Sequence, residues 1–284
     1  MSSFNWFFTT IASSLVNKLP SSSVFFGLAH IFDFYRNKGV STGAFTLLTV
    51  TEQTVCKMLD SLSGNKATGL DKLPAKYVKD GSSQIVKPLT YLINVSLTTG
   101  NIPNELKKTQ VVPLYQRKSK TDAGNYRPVS VLCVISKVFE RVVFNQLNDY
   151  LTANKLLYEL QSGFRSSYST DTCLIYLSDY IRHECDKGNY TGMVVLDLQK
   201  AFDTVNHDIL LYKLKAVGVN QMALQWFSSY LTGRNQVVDI NGTASSAKDI
   251  SCGVPQGSIL GPLLFVIYVN DMTAAVKLRA VGIW

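Results

Sequence analysis

Histidine and cysteine are scarce in this sequence, and neither is grouped. The three histidines (His30, His183 and His207) and the five cysteines (Cys56, Cys133, Cys173, Cys185 and Cys252) are scattered, with no C-x-x-C pair. That excludes a zinc finger or ribbon and a disulfide-stapled secreted module. Reduced thiols in a nuclear or cytoplasmic protein are the expectation. No apolar run approaches the roughly 20 residues that span a bilayer. The amino terminus, Met1-Ser2-Ser3-Phe4-Asn5-Trp6, lacks the basic n-region of a signal peptide, so no membrane partner is expected. Glycine shows no period and nothing repeats, which excludes fibres and solenoids. Charged residues make up only 17% of the chain against 46% hydrophobic, the reverse of a disordered segment.

What is present is a chain of 284 residues, enough for one large domain or two smaller ones with a substantial core. The net charge is +8, which suits a polyanionic partner. The charge is concentrated. Lys107, Lys108, Arg117, Lys118, Lys120 and Arg127 face a single acid, Asp122, across residues 107–127, giving five of the eight net charges. A solvated loop or a phosphate-facing surface has this composition.

Periodicity places the elements. Phe4, Trp6, Phe7, Phe8, Ile11 and Leu15 fit one helix face, with loops at Ser21-Ser22-Ser23 and Ser41-Thr42-Gly43. A helix follows Thr51, with Val55, Met58, Leu59 and Leu62 inward. Another covers 82–99, with Ile85, Leu89, Leu92, Ile93 and 95–97 inward, Pro88 as a kink and Gly100 as the stop. Residues 110–114 read as a strand. The longest helical pattern begins near Val129 and runs to Leu151, and a further helix over 170–181 presents Leu174, Leu177 and Ile181. Met193-Val194-Val195-Leu196 reads as a buried central strand ending on Asp197. Helices over 208–217 and 221–231 follow, then a hairpin at Val237-Val238-Asp239-Ile240 closed by Asn241-Gly242. A turn at Gly253-Val254-Pro255-Gln256-Gly257 leads into an apolar helix from about Ser258, with Pro262 early in it. Helices first and then a mixed sheet with helices give an α+β or mixed α/β fold.

Three constellations could carry chemistry. An Asp ending a buried strand, Asp197, is where an open sheet presents ligands, and magnesium is commonly held by one or two such carboxylates; an ordinary turn-capping Asp has the same pattern. The 253–258 turn lets a backbone approach a planar or phosphate group closely, with Gln256 offering both donor and acceptor; a strand-to-helix turn capped by Ser258 reads equally well. Arg127, in Asn125-Tyr126-Arg127-Pro128-Val129-Ser130, is suited to a triphosphate or a nucleic-acid backbone, though a lone surface arginine is commoner.

The order of these pieces is more specific than any one of them. Lys66-Ala67-Thr68-Gly69-Leu70-Asp71, Val111-Val112-Pro113-Leu114, Asn125 to Ser130 and Ser136-Lys137-Val138-Phe139-Glu140-Arg141 are followed by Gln161-Ser162-Gly163-Phe164-Arg165. The Asp197 box, the Gly253 to Pro262 stretch and Asn270-Asp271 then complete the series. Together they resemble the reverse transcriptase domain of a non-LTR (LINE-type) retrotransposon, over about residues 50–272. The resemblance implies a right-hand polymerase fold. Residues 1–50 would be an amino-terminal extension, 51–190 fingers-like and 191–284 a partial palm without thumb.

The resemblance also implies an RNA template, a DNA primer, deoxynucleoside triphosphates and two Mg2+ ions. Asp197 and the backbone carbonyl of Leu198 would bind metal. Phe202 would exclude a ribose 2′-hydroxyl, and Asp203 would be structural. Arg127, and less directly Lys137, would contact the triphosphate. Gln256 with Gly253, Pro255 and Gly257 would line the template–nucleotide pocket, while Lys107, Lys108, Arg117, Lys118 and Lys120 would face nucleic-acid phosphates. The family's Tyr-x-Asp-Asp hairpin is expected soon after Asn270-Asp271, and this sequence has no acid after Asp271. The chain therefore reads as a truncated polymerase domain with an incomplete metal site. The alternative is a non-catalytic nucleic-acid-binding remnant.

Overall fold

The computed structural model describes residues 1–16, 28–41 and 43–275. Its first half is helical. Helices α1 (Ser2–Val16), α2 (Leu28–Arg36), α3 (Glu52–Asp60), α4 (Ala75–Asp80) and α5 (Ser82–Thr99) precede strands β1 (Lys108–Tyr115) and β2 (Tyr126–Val131). Then come α6 (Val134–Ala153), α7 (Thr170–Asp186), α8 (His207–Ala216) and α9 (Gln221–Leu231). Strands β3 (Arg234–Ile240), β4 (Thr243–Ala244) and β5 (Lys248–Ile250) lead to α10 (Gly261–Val269). This is a mixed α/β fold with many helices around one small mixed sheet.

Local chemistry explains most boundaries. The Thr51 side chain accepts from the Thr54 N–H and starts α3. Gly100, left-handed at φ +68, ends α5. A capping box between Ser169 and Thr172 starts α7, and Asn206 and Asn220 cap α8 and α9. Helix α10 is apolar all round, and Leu263, Leu264, Phe265, Val266 and Ile267 are all buried, as such a helix requires. It sits in the main core with Val138, Val142 and Leu147 of α6 and Trp226, Phe227 and Tyr230 of α9. Each fully buried Leu or Val there contributes about 1.5–3 kcal/mol.

The sheet brings distant parts of the chain together. β1 pairs antiparallel with β2 (Val112 opposite Val129) and parallel with β3 (Gln110 opposite Val237). β5 and β4 pair antiparallel with β3, Asn241 and Gly242 forming the expected positive-φ turn. Helix α1 covers one sheet face, where Phe8 packs with Val111 and Val238, and Phe4, Phe7, Tyr126 and Ile240 surround them. Asn5, fully buried, donates to the Gln236 and Ser246 carbonyls and to Ser245 Oγ.

Several expectations are corrected. Residues 193–196 form no strand: they have no ladder partner among the described residues, and Val194 is 82% exposed. A run of β-formers becomes a strand only when a ladder partner is present, and none of the described strands pairs with it. The long helix starts at Val134, not near Val129, because the extended backbone imposed by Pro128 and the β-branched Val129 and Val131 find a partner in β1. On α5, Leu92 and Val95 point outward, as does Leu174 on α7. Helix α10 begins at Gly261 rather than Ser258, whose hydroxyl instead accepts the Gly261 N–H at 2.8 Å. The Ser21–Ser23 stretch, Thr42 and residues 276–284 lie outside the described residues. No described helix is long and apolar enough to cross a membrane.

Candidate active site around the 253–258 turn

Three stretches far apart in sequence meet at this turn. The Gly253 N–H donates to the Val205 carbonyl at 2.7 Å, and the Val254 N–H to the Phe202 carbonyl at 2.9 Å. From the other side, the Ser130 N–H at the end of β2 donates to the Gln256 carbonyl at 2.6 Å. Two glycines make this approach possible. A Cβ on Gly253 (φ +87) would lie 2.9 Å from the Asp203 carbonyl oxygen, and one on Gly257 (φ +120) 2.4 Å from that of Ser130. Pro255 is buried, and its carbonyl accepts from the Ser258 hydroxyl.

Side chains continue the lattice. Gln256 Nε2 donates to Asp203 Oδ1 at 2.8 Å. The other carboxylate oxygen, Oδ2, is buried with no partner. Burial pushes the Asp203 carboxyl up to about 6, against the opposing pull of the Gln256 hydrogen bond and of the Lys200 and Arg127 charges. Lys200 donates to the Tyr126 and Gly124 carbonyls at 2.9 and 3.4 Å, and burial lowers its pKa. His207 Nε2 donates to the Gly253 carbonyl at 2.8 Å, and burial lowers its pKa also. Nothing in the sequence points to Gln256 as the partner of Asp203.

Phe202 is gripped rather than free. It stacks on Phe265 of α10, with centroids 4.7 Å apart, and takes Phe164 edge-on at 5.6 Å. Behind the turn lies a buried polar network. Glu140, 1% exposed, accepts from the Tyr230 hydroxyl at 2.8 Å and the Ile259 N–H at 2.7 Å. Arg234, also 1% exposed, donates to the Tyr230 carbonyl and to Thr109 Oγ1, both at 3.2 Å. Burial raises the pKa of Glu140, and its hydrogen bonds oppose this.

The basic residues divide. Lys108, Arg117, Lys118, Lys120 and Arg127 are exposed. Hydrogen bonds from Tyr115 and Tyr126 hydroxyls to the Lys118 and Lys120 carbonyls hold the β1–β2 connection in shape. Lys107 does not fit its expected role: it is 7% exposed, closing onto the core, where burial and the Arg234 charge lower its pKa. Lys137 is half-buried on the first turn of α6.

The expected metal donors are not gathered. Asp197 and Leu198 stand on the unpaired 191–198 segment, exposed. Asp271 is taken by Lys213, and Asn270 binds Tyr35, the Leu156 carbonyl and the Tyr158 N–H. Among the described residues no group of three or more His, Cys, Asp or Glu side chains could hold a metal ion. This donor set does not fit a two-ion centre.

Sequence reasoning gave no site role to Phe164, Lys200, Glu140 or Arg234, although Phe164 and Glu140 stand in the motifs that carry the resemblance. Glu140 carried a signal, since it interrupts the apolar run of Phe139, Val142 and Val143 on a long helix. Arg234 carried none.

Comparison with known proteins identifies the family. The family model described as reverse transcriptase (RNA-dependent DNA polymerase) matches residues 116–283, and the chain belongs to that family. Its relatives are of the non-LTR retrotransposon type. An RNA-directed DNA polymerase from mobile element jockey of Drosophila melanogaster is 33% identical over 227 residues, 80% of this chain and 25% of the relative. A probable RNA-directed DNA polymerase from transposon X-element of the same species is 31% identical over 222 residues, 77% of this chain and 24% of the relative. A Pol polyprotein from type-1 retrotransposable element R1 of Bradysia coprophila is 27% identical over 212 residues, 74% and 20% respectively. The chain thus spans about a quarter or less of the length of these curated relatives.

Proposed function

We propose that this chain is the polymerase part of a non-LTR retrotransposon protein, adding deoxynucleotides to a primer 3′-hydroxyl as directed by an RNA template. The observation that carries this is the convergence of Ser130, Phe202, Asp203 and Gln256 on one turn: the three boxes that would surround a nucleotide are hydrogen-bonded to one another. In this reading residues 51–190 act as a fingers-like part and 191–284 as a partial palm. Gln256 and the glycine backbone face the nucleotide and template, and Phe202, held by Phe164 and Phe265, restricts the sugar. Arg127, and secondarily Lys137, meet the triphosphate. Exposed Lys108, Arg117, Lys118 and Lys120 meet nucleic-acid phosphates.

A second reading, nucleic-acid binding without chemistry, is favoured by one observation: Asp197 lies on an exposed, unpaired segment, and among the described residues no group of three or more His, Cys, Asp or Glu side chains could hold a metal ion with it. Primer extension on a primed RNA template with magnesium and deoxynucleotides separates the two. Extension lost in Asp197→Asn supports the polymerase. Salt-sensitive RNA binding without extension, unchanged in Asp197→Asn, supports the binding module. Neither activity would overturn both.

A further inference from the structure

A cavity of about 540 Å3 opens between the end of α2, the exit of α6 and the connection to α7, and no residue of the 253–258 turn lines it. Small-ligand pockets have this size, about 300–1,000 Å3. Its walls include Phe34, Lys38, Lys155, Glu159, Arg165 and Tyr168, with three cations against one acid. One short stretch of backbone gathers the cations. Lys155 stands first in it. Lys38 Nζ donates to the carbonyl of the next residue, Leu156, at 3.2 Å. Arg165 Nη1 donates to the Tyr158 carbonyl at 2.9 Å, and to those of Glu159 and Gln161 at 3.4 and 3.2 Å. Two of the cations have a ring beside them. Lys38 Nζ lies 4.8 Å from the Phe34 ring centre, and the Arg165 guanidinium carbon 4.3 Å from that of Tyr168.

Donors are left over on all three. An ammonium has three, and Lys38 uses one. Nε and Nη2 of Arg165 and Nζ of Lys155 have no protein acceptor among the described residues. Burial lowers the pKa of Lys38 against the pull of the Glu159 charge, so an anion beside it would favour the charged form. Lys155 is exposed and sits at φ +52, just past the Asn154 cap of α6. Glycine is the usual residue there, because a Cβ is strained in the left-handed region. A lysine held against that preference points to a use for its ammonium.

We propose that this cavity binds a nucleotide unit, its phosphate on Lys38, Lys155 and Arg165 and its base beside Phe34 and Tyr168. Rings next to cations suit a ligand that is aromatic and anionic at once. An acidic peptide would engage the cations and leave the rings unused. The site stands apart from the 253–258 turn and does not rest on the polymerase reading.

The test uses the purified 284-residue chain. The fluorescence that Tyr168→Trp adds should be quenched by AMP and by an eight-residue oligoadenylate. Inorganic phosphate, adenosine and polyglutamate should leave it unchanged at the same concentrations. Without the reporter, calorimetry should show AMP binding about tenfold weaker in Lys155→Gly than in the wild type. The Tm of Lys155→Gly should stay equal or rise, since glycine suits that backbone. Lys79→Ala, the same loss of charge on α4, should leave the affinity unchanged. An oligomer held at least tenfold tighter than AMP assigns the unit to a single strand, and equal affinities assign it to a free nucleotide. No AMP binding, quenching by polyglutamate as strong as by AMP, or an affinity untouched in Lys155→Gly overturns the proposal. So does a lower Tm in Lys155→Gly, which would make the lysine structural.

Discussion

Gly257→Ala is the substitution for which the structure gives the largest consequence per atom added. The residue sits at φ +120, where side-chain-bearing residues are rarely found, and the new Cβ would lie 2.4 Å from the Ser130 carbonyl oxygen. Backbone strain of this kind costs about 1–3 kcal/mol. Relieving the clash means withdrawing β2 from the turn and breaking the 2.6 Å bond from the Ser130 N–H to Gln256, worth about 1–3 kcal/mol when a buried group is left unpaired. The expected total is about 3–5 kcal/mol, or roughly 10 °C in Tm at about 2–4 °C per kcal/mol for a domain of this size. Gly188→Ala is the matched control: its φ is +77 but a Cβ there meets nothing within 4 Å, so about 1–2 kcal/mol is expected from conformation alone. Urea denaturation of the three proteins measures both. If Gly257→Ala costs no more than Gly188→Ala, the close packing of β2 against the turn is wrong, and with it the convergence on which the functional reading stands.

Other outcomes follow from particular contacts. Asp203 has its carboxyl raised from the usual 3.8 to about 6, so the folded chain holds that proton more tightly than the unfolded one. Its contribution to stability is fully present below pH 4, falls as pH rises to about 6 and costs about 3 kcal/mol above that. The wild-type stability profile minus that of Asp203→Asn should show this fall, and a flat difference between pH 4 and 7 would contradict it. Asn270→Ala removes three hydrogen bonds and leaves the buried Tyr35 hydroxyl unpaired, for an expected loss of about 3 kcal/mol by urea denaturation. Replacing Arg117, Lys118 and Lys120 together by Ala should lower the salt slope of RNA binding by about 2, at about 0.7 per phosphate on a single strand. Stability in the same protein should stay within about 0.5 kcal/mol, since all three are exposed.

Much of this was readable from residues alone, and the exceptions have causes. Local signals located α3, α5, α9 and the Asn241-Gly242 hairpin, because caps, period and turn chemistry act over a few residues. The ordered boxes gave the family. Pairing was not legible. Nothing near 126–131 says that β1 waits beside it, so a strand reads as the start of a helix, and nothing near 193–196 says that a partner is missing. Within the site, the glycines and Gln256 were recognisable as types, but their bonds to Ser130 and Asp203 cross more than 50 residues and depend on the whole fold. Lys107 shows the limit of charge counting: one lysine in a basic run can close onto the core while its neighbours face water.

The parallel pairing of β1 with β3 sets a schedule for synthesis. β1 ends at residue 115 and cannot acquire its inner neighbour until residue 234 and beyond have left the ribosome. Until then its middle is an open edge with apolar Val111 and Val112 on it, and α1 has no finished surface to settle on. Asn5 waits longest, since its bond to the Ser246 carbonyl spans 241 residues. Contacts of such separation slow folding and leave aggregation-prone edges uncovered meanwhile. The helical first half can collapse early, but the sheet that organises the 253–258 turn forms last, and protection of that edge by a chaperone should govern the yield of folded chain.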